Sequence, residues 1–275
     1  MIVVVGADQL LGVAALARLG GDGIAHRTVN LGVSTAGGAF SGDEIEKTLA
    51  EDAVFDGAEG VLIAPVANGT GAADGGAALL AGLIDRAVAA GVSRVVYLSV
   101  VAAQLSPMVF HARTEEHLRS IGVEHTVLRL GLALETFRPL IRHAAETGEL
   151  PAPEGSARFA AAGRSDLAAA AVAALTGDYA GPMFEVTGDR SFDLVELAAA
   201  VAAAADRPVR RTVASDAELL PVLTAAGMPE AAAGALLSMI KFGENGVFAT
   251  ASPHLRALLG GPGTDLADAV RPLIG

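Results

Sequence analysis

Short, unbroken apolar runs recur along the chain, and amphipathic or alanine-rich stretches separate them. Ile2–Val5 is β-branched throughout and ends at Gly6, as a strand buried on both faces does. Leu10–Leu19 then reads as a helix closed by Gly20-Gly21, and Ala25–Leu31 as a second strand. Residues 32–42 are rich in Gly, Ser, Thr and Ala and read as a loop. Ile45, Lys47 and Leu49 alternate with Glu46 and Thr48, which suits a short third strand. Val61–Val66 is a strand stopped by Pro65 and the Asn68-Gly69 turn. A helix over 76–90 ends at Gly91, and Arg94–Val101 is the strongest strand signal of all.

A helix beginning near Met108 runs to Ser120, His125–Leu130 is the next strand, and Phe137–Thr147 is a helix ended by Gly148. Ser165-Asp166 opens an alanine-rich helix over 166–175, and Phe184–Thr187 is the last strand. Asp193 with Glu196, and Ser215 with Glu218, have capping-box spacing for helices over 193–204 and 216–226. Further helices cover 228–241 and 264–272. Alternating strands and helices build βαβ units and therefore a parallel sheet. The expected class is α/β: a Rossmann-type parallel sheet flanked by helices, with a small, mainly helical C-terminal lobe. The core spans 1–150, and residues 151–275 complete the sheet and add the lobe as one continuous unit.

Composition narrows the function classes. A formal net charge of −12 and no basic cluster longer than Arg210-Arg211 argue against nucleic-acid binding. The chain has no cysteine, which excludes disulfides, thiolate-ligated zinc and a thiol nucleophile. His26, His111, His117, His125, His143 and His254 show no paired ligand spacing, so no metal site is expected. Met1–Gly6 carries no charged leader segment, and no apolar run approaches the ~20 residues of a membrane span. The expected location is cytoplasmic, with no membrane partner.

Gly6-Ala7-Asp8-Gln9-Leu10-Leu11-Gly12 joins a strand to a helix. In a dinucleotide loop the first glycine makes the tight turn, the second admits the pyrophosphate, and the third lets helix and strand pack closely. Gly6 and Gly12 suit the outer roles, whereas Gln9 stands at the middle one and would project where a phosphate lies. Asp8 would repel that phosphate unless it points into the helix N-terminus.

His111 and Glu115 have the i, i+4 spacing that shares a helix face, so a carboxylate could orient an imidazole for acid/base work; a solvated surface pair is the alternative. Ser99 falls at the carboxyl end of a strand, where α/β proteins bind ligands, and serves either a substrate carbonyl or a turn cap. Met228, Met239, Leu219, Leu220, Leu223, Leu236, Leu237, Ile240 and Phe242 form an apolar stripe, which is core or a lid.

Motifs in series carry a family resemblance. Val5–Gly12 stands where a T-G-A-T-G-x-L-G loop would be; Tyr97-Leu98-Ser99-Val100 resembles a strand bearing a family serine. Ser106 to Val123 is similar to the segment bearing an H-x-x-x-E-x-x-L-x-x-S-G-L helix, and His125–Gly131 to a Y-T-I-L-R-P-G strand. Glu135-Thr136-Phe137, Arg164-Ser165-Asp166-Leu167-Ala168 and Phe184-Glu185-Val186-Thr187-Gly188 resemble the E-N-F, R-x-D-(I/L)-A and Y-E-L-T-G segments that follow. Together they resemble the NmrA-like atypical short-chain dehydrogenase/reductases, near the quinone oxidoreductase-like members.

That resemblance implies NADPH or NADH as cofactor, held by Gly6, Asp8, Gln9, Leu10, Leu11 and Gly12, with Ala64 and Pro65 along the ribose–nicotinamide path. Arg27, or His26, would meet a 2′-phosphate, and Ser99, His111 and Glu115 would form the catalytic set. The Tyr-x-x-x-Lys pair of ordinary superfamily members is absent: Tyr97 and Tyr179 are followed four residues on by Val101 and Met183. The implied activity is reduction of a quinone-like or other small carbonyl or aromatic substrate, which needs little acid/base help. Loss of the middle glycine leaves open a cofactor-independent cyclase, isomerase or dehydratase of secondary metabolism, or a non-enzymatic nucleotide sensor. The partner is a small, apolar or aromatic molecule. The alanine-rich helices over 76–90 and 108–120 suit a homodimer contact or internal packing equally.

Overall fold

A computed structural model describes residues 1–31, 53–65, 75–104, 109–179 and 183–275. The chain forms two compact units: Met1–Leu130 with Leu167–Val186, and Gly131–Asp166 with Thr187–Gly275. The loop at 32–42, the strand at 45–49 with Lys47, Val66, the Asn68-Gly69 turn and the helix start at Met108 fall outside the described residues.

In the first unit, β1 (Ile2–Val5), α1 (Leu10–Gly21), β2 (His26–Val29), β3 (Gly60–Ile63), α2 (Gly75–Ala89), β4 (Arg94–Val100), α3 (Val109–Ile121) and β5 (Glu124–Leu130) follow in order. The greater part of α5 (Arg164–Thr176) and the strand β7 (Met183–Val186) return to the same unit. The strands form one parallel sheet in the order β2-β1-β3-β4-β5-β7, the Rossmann-type arrangement the alternation implies. Every residue of β1 and β3 is buried, because helices cover both faces of such a sheet. Val3, Val61, Val95, Tyr97 and Val127 share one face and pack with Leu80 and Leu83 of α2 and Leu118 of α3.

Gly6 takes φ +82°, and a Cβ there would overlap the carbonyl oxygen of Ala64 at the end of β3. A Cβ on Gly12, inside α1, would overlap the carbonyl oxygen of Gly6. These positions let the first turn of α1 sit directly on the strand-end loop. Gly20 and Gly21 do not stop α1; the helix runs through them and ends where the Asp22 amide meets the Arg18 carbonyl at 3.0 Å. Two consecutive glycines weaken a helix by about 1 kcal/mol each, too little to end one that is packed.

The second unit contains a 3₁₀ turn (Leu134–Phe137), α4 (Arg138–Thr147), β6 (Glu149–Ala152), α6 (Leu194–Ala205), β8 (Arg210–Val213), α7 (Asp216–Ala225), α8 (Glu230–Phe242), α9 (His254–Leu259) and α10 (Leu266–Val270). The sequence pattern did not show β6 and β8, which pair in parallel as a separate two-stranded sheet, nor the short α9. Glu149-Leu150-Pro151-Ala152 carries a proline, and Arg210-Arg211-Thr212-Val213 is largely polar, so neither reads as a strand. Leu219, Leu223, Leu236, Leu237 and Ile240 are buried in one core with Phe137, Phe159 and Phe192, while Leu220, Met228 and Met239 pack at its edge. The stripe is core in this unit; Phe242 stays exposed. Asp193 caps α6 through its side chain to the Val195 and Glu196 amides, with Glu196 returning to the Asp193 amide.

Opposite signs are expected for two glycines of one helix. Gly12→Ala should destabilise by about 1–3 kcal/mol or more, because backbone must move to admit the methyl. Gly20→Ala, whose Cβ would meet nothing within 4 Å, should stabilise by about 0.5–1 kcal/mol. Urea unfolding of the two variants beside the parent protein checks both.

Candidate functional site

The loop Gly6–Gly12 leaves the carboxyl end of β1, the edge at which open α/β sheets bind ligands. The Gln9 amide bonds the Gly6 carbonyl at 2.9 Å and the Gln9 carbonyl accepts from Val13 at 2.8 Å, so Gln9 is the residue from which α1 starts. Its backbone is extended, at φ −87° and ψ 152°, and its side chain makes no capping bond. The first-turn amides of α1 therefore receive no side-chain cap from Gln9, and the positive end of the helix dipole lies at this loop.

Gln9 is 8% exposed, and its Nε2 is buried with no hydrogen-bond partner. Asp8 Oδ1 accepts from the Leu31 amide, two residues past β2, at 2.9 Å. Leu10 is exposed and Leu11 half-buried. Ala64 and Pro65 are buried at the end of β3, the Ala64 amide bonding the Val5 carbonyl at 2.9 Å. Arg27, expected to meet a 2′-phosphate, is exposed and partly engaged with backbone. Its Nη1 donates to the carbonyls of Ala53, Val54 and Asp56, which tie β2 to the turn before β3. His26 Nδ1 lies 2.9 Å from the Ile24 carbonyl.

Beneath β4 lies a buried polar cluster. Tyr97 and Ser99 are two apart on the strand and so face the same side, toward α3. Glu115, on α3, accepts from Ser99 Oγ at 2.6 Å and from Arg129 Nε and Nη2 at 3.0 and 2.6 Å. Arg129 stands opposite Ser99 in the β4–β5 register, which brings its fork onto the carboxylate. Burial raises the Glu115 carboxyl, but the bonds from Arg129 and Ser99 outweigh it and hold the group below the usual carboxylate range. Arg119, one turn on, adds a weaker contact at 3.9 Å.

His111 does not pair with Glu115. Its Nδ1 lies 2.7 Å from the Tyr97 hydroxyl, its ring rests on Phe110 at 4.0 Å between centroids, and its Nε2 is buried without a partner. Burial lowers its pKa to about 4 against the weaker opposing pull of Glu115, so the imidazole is neutral at neutral pH rather than poised to titrate there. Burial likewise pushes the Tyr97 phenol well above its ordinary range. The solvated-pair alternative for His111 and Glu115 fails as well, since both are 1% exposed.

Sequence reasoning missed Tyr97 and Arg129 as members of this cluster. The lack of a lysine four residues after Tyr97 excludes the usual superfamily pair but not a place for the phenol in a buried cluster. A signal for Arg129 was present: a charged side chain within the apolar run of β5 requires a buried counter-charge. Among the described residues no group of His, Asp and Glu could hold a metal ion, and no helix is long and apolar enough to cross a membrane.

No family model matches the chain. Quinone oxidoreductase 2 of Escherichia coli (strain K12) is 31% identical over 195 residues, which cover 70% of this chain and 68% of that protein. NAD(P)H azoreductase of Xenophilus azovorans is 30% identical over 161 residues, 57% of this chain and 56% of the relative. The solved structure of an NADPH-dependent quinone oxidoreductase from Escherichia coli complexed with NADPH matches over the full length of both chains, with a TM-score of 0.73 at 26% identity. The triphenylmethane reductase of Citrobacter sp. shares the fold over 99% of each chain, with a TM-score of 0.76 at 20% identity.

The buried neutral imidazole gives stability a pH dependence of fixed sign. The folded side chain titrates at about 4 and the unfolded one near ~6.5, so between them the unfolded chain binds the extra proton. The contribution is complete above about pH 6.5 and is withdrawn as pH falls toward 4, by up to about 3 kcal/mol. Glu115, whose carboxyl is lowered, loses its contribution in the same direction at lower pH. Denaturant unfolding at about pH 7.5 and about pH 5 should show a smaller drop for His111→Asn than for the parent protein.

Proposed function

The chain belongs to the family of quinone oxidoreductase 2, and on that footing we propose that it passes hydride from NADPH or NADH to a quinone-like acceptor. The observation that carries this reading is the close seat of α1 on the Gly6 carbonyl, which only a glycine at position 12 allows. It brings the amino end of the helix, which the Gln9 side chain does not cap, to the carboxyl edge of the sheet, which is what a dinucleotide pyrophosphate requires.

The residues present fit the cofactor. Gly6, Gly12 and the first turn with Leu10 and Leu11 would hold the pyrophosphate, and Gln9 places an unpartnered donor among them. Asp8 is tied to Leu31 and shapes the loop. Ala64 and Pro65 would border the ribose–nicotinamide half. When bound, the dinucleotide supplies two electrons as hydride.

We assign the acceptor's oxygen to His111 Nε2, the polar atom of the buried cluster that has no partner. With the Tyr97 hydroxyl donating to Nδ1, Nε2 carries the ring proton and donates to a carbonyl oxygen. Tyr97 positions the ring. Ser99, Glu115 and Arg129 hold α3 against β4 and β5 and so act as positioning residues, their own polar atoms being engaged with one another. A neutral imidazole polarises the carbonyl without protonating it. A quinone accepts hydride readily, and the one further proton that completes the hydroquinone comes from solvent. The aromatic surroundings of His111 suit an apolar, planar acceptor.

The test is anaerobic oxidation of NADPH and NADH with simple quinones. Micromolar cofactor binding and quinone-dependent turnover are expected, and no binding up to millimolar cofactor would sink the assignment. His111→Ala should lower kcat/KM for the quinone about 10–100-fold while leaving the cofactor dissociation constant unchanged.

A further inference from the structure

The amide of Gln9 stands where dinucleotide loops of this kind keep a glycine, and its burial calls for an explanation. The backbone at this residue is extended and accessible to any amino acid, so nothing in the chain's own path demands glycine. The side chain neither turns to solvent nor caps the helix it precedes: it is 8% exposed, and Nε2 has no acceptor. An amide nitrogen donates only, and a buried donor left unpaired is destabilising. The same spot carries the positive end of α1, a helix of 12 residues. A buried donor beside the positive end of a helix is complemented by an anion rich in acceptors and poor in donors.

We infer that the Gln9 carboxamide donates a hydrogen bond to the cofactor's pyrophosphate, so that a side-chain donor replaces the close backbone approach a glycine would allow. The inference rests on the reading of this loop as the dinucleotide site. It implies that Gln9 is a binding residue kept at the expense of the cofactor-free protein, which carries an unpaired amide until the pyrophosphate arrives.

Two signatures of opposite sign follow. Gln9→Met keeps the length of the side chain and removes the donor, so the cofactor-free protein should melt at the same temperature or higher, while NADPH binds about tenfold weaker by calorimetry. Gln9→Glu places a like charge beside the pyrophosphate and should bind NADPH more weakly than Gln9→Met. Retention of parent-like affinity in Gln9→Met would overturn the inference alone. Tighter binding by Gln9→Gly than by the parent protein would also overturn it, because the side chain would then obstruct the site. Failure of the parent protein to bind NADPH or NADH would overturn both this inference and the reductase reading. Melting curves of each variant without cofactor separate a lost contact from a lost fold.

Discussion

The approach of α1 to the carbonyl oxygen of Gly6 is the contact on which the arrangement of the loop depends. One missing β-carbon at Gly12 fixes how deeply the helix sinks onto the end of β1, and one at Gly6 fixes how closely that loop lies on the end of β3. With both in place, the helix begins at Gln9 with its amides and dipole turned toward the edge of the sheet. A larger residue at either position would displace the loop and the helix end together. The strands themselves are ordinary: buried, β-branched and replaceable by other apolar residues of similar volume.

Beneath β4 the same economy of means serves polar groups. A carboxylate is retained in the interior because a forked guanidinium and a hydroxyl satisfy it, and the register of β4 against β5 places the two donors on it from adjacent strands. The imidazole one turn earlier on α3 stays uncharged because the pull of Glu115 is weaker than the desolvation a second ion would suffer. Charge is thus confined to one member of the helix pair and denied to the other. The outcome suits a substrate that takes electrons easily and needs an oriented neutral donor rather than an acid.

Much of this was legible in the sequence, and the residues show why the rest was not. The order of strands and helices in the first unit follows from unbroken apolar runs that local pattern alone can find, and the serial motifs pointed to the right family. The pairing of His111 with Tyr97 and of Glu115 with Ser99 and Arg129 was not legible, because i, i+4 spacing shows which side chains share a helix face and not which strand that face meets. Arg27 sits close to the expected position in sequence, yet its guanidinium is drawn to carbonyls more than twenty residues away. The pair β6 and β8 was hidden by Pro151 and by the polar Arg210-Arg211, since a two-stranded sheet needs no apolar run.

The interleaving of the two units has a consequence for biogenesis. The segment 131–166 leaves the first unit before that unit is complete, and β7, the neighbour of β5 in the sheet, is synthesised only afterwards. A ribosome that has released residue 130 has made five of the six strands in the order and has left β5 as an open edge, the kind of surface that recruits other chains. The second unit, in turn, awaits residues 187–275. Neither unit is a contiguous piece that can finish while the other is still being made, so the nascent chain spends a stretch of elongation with an exposed sheet edge.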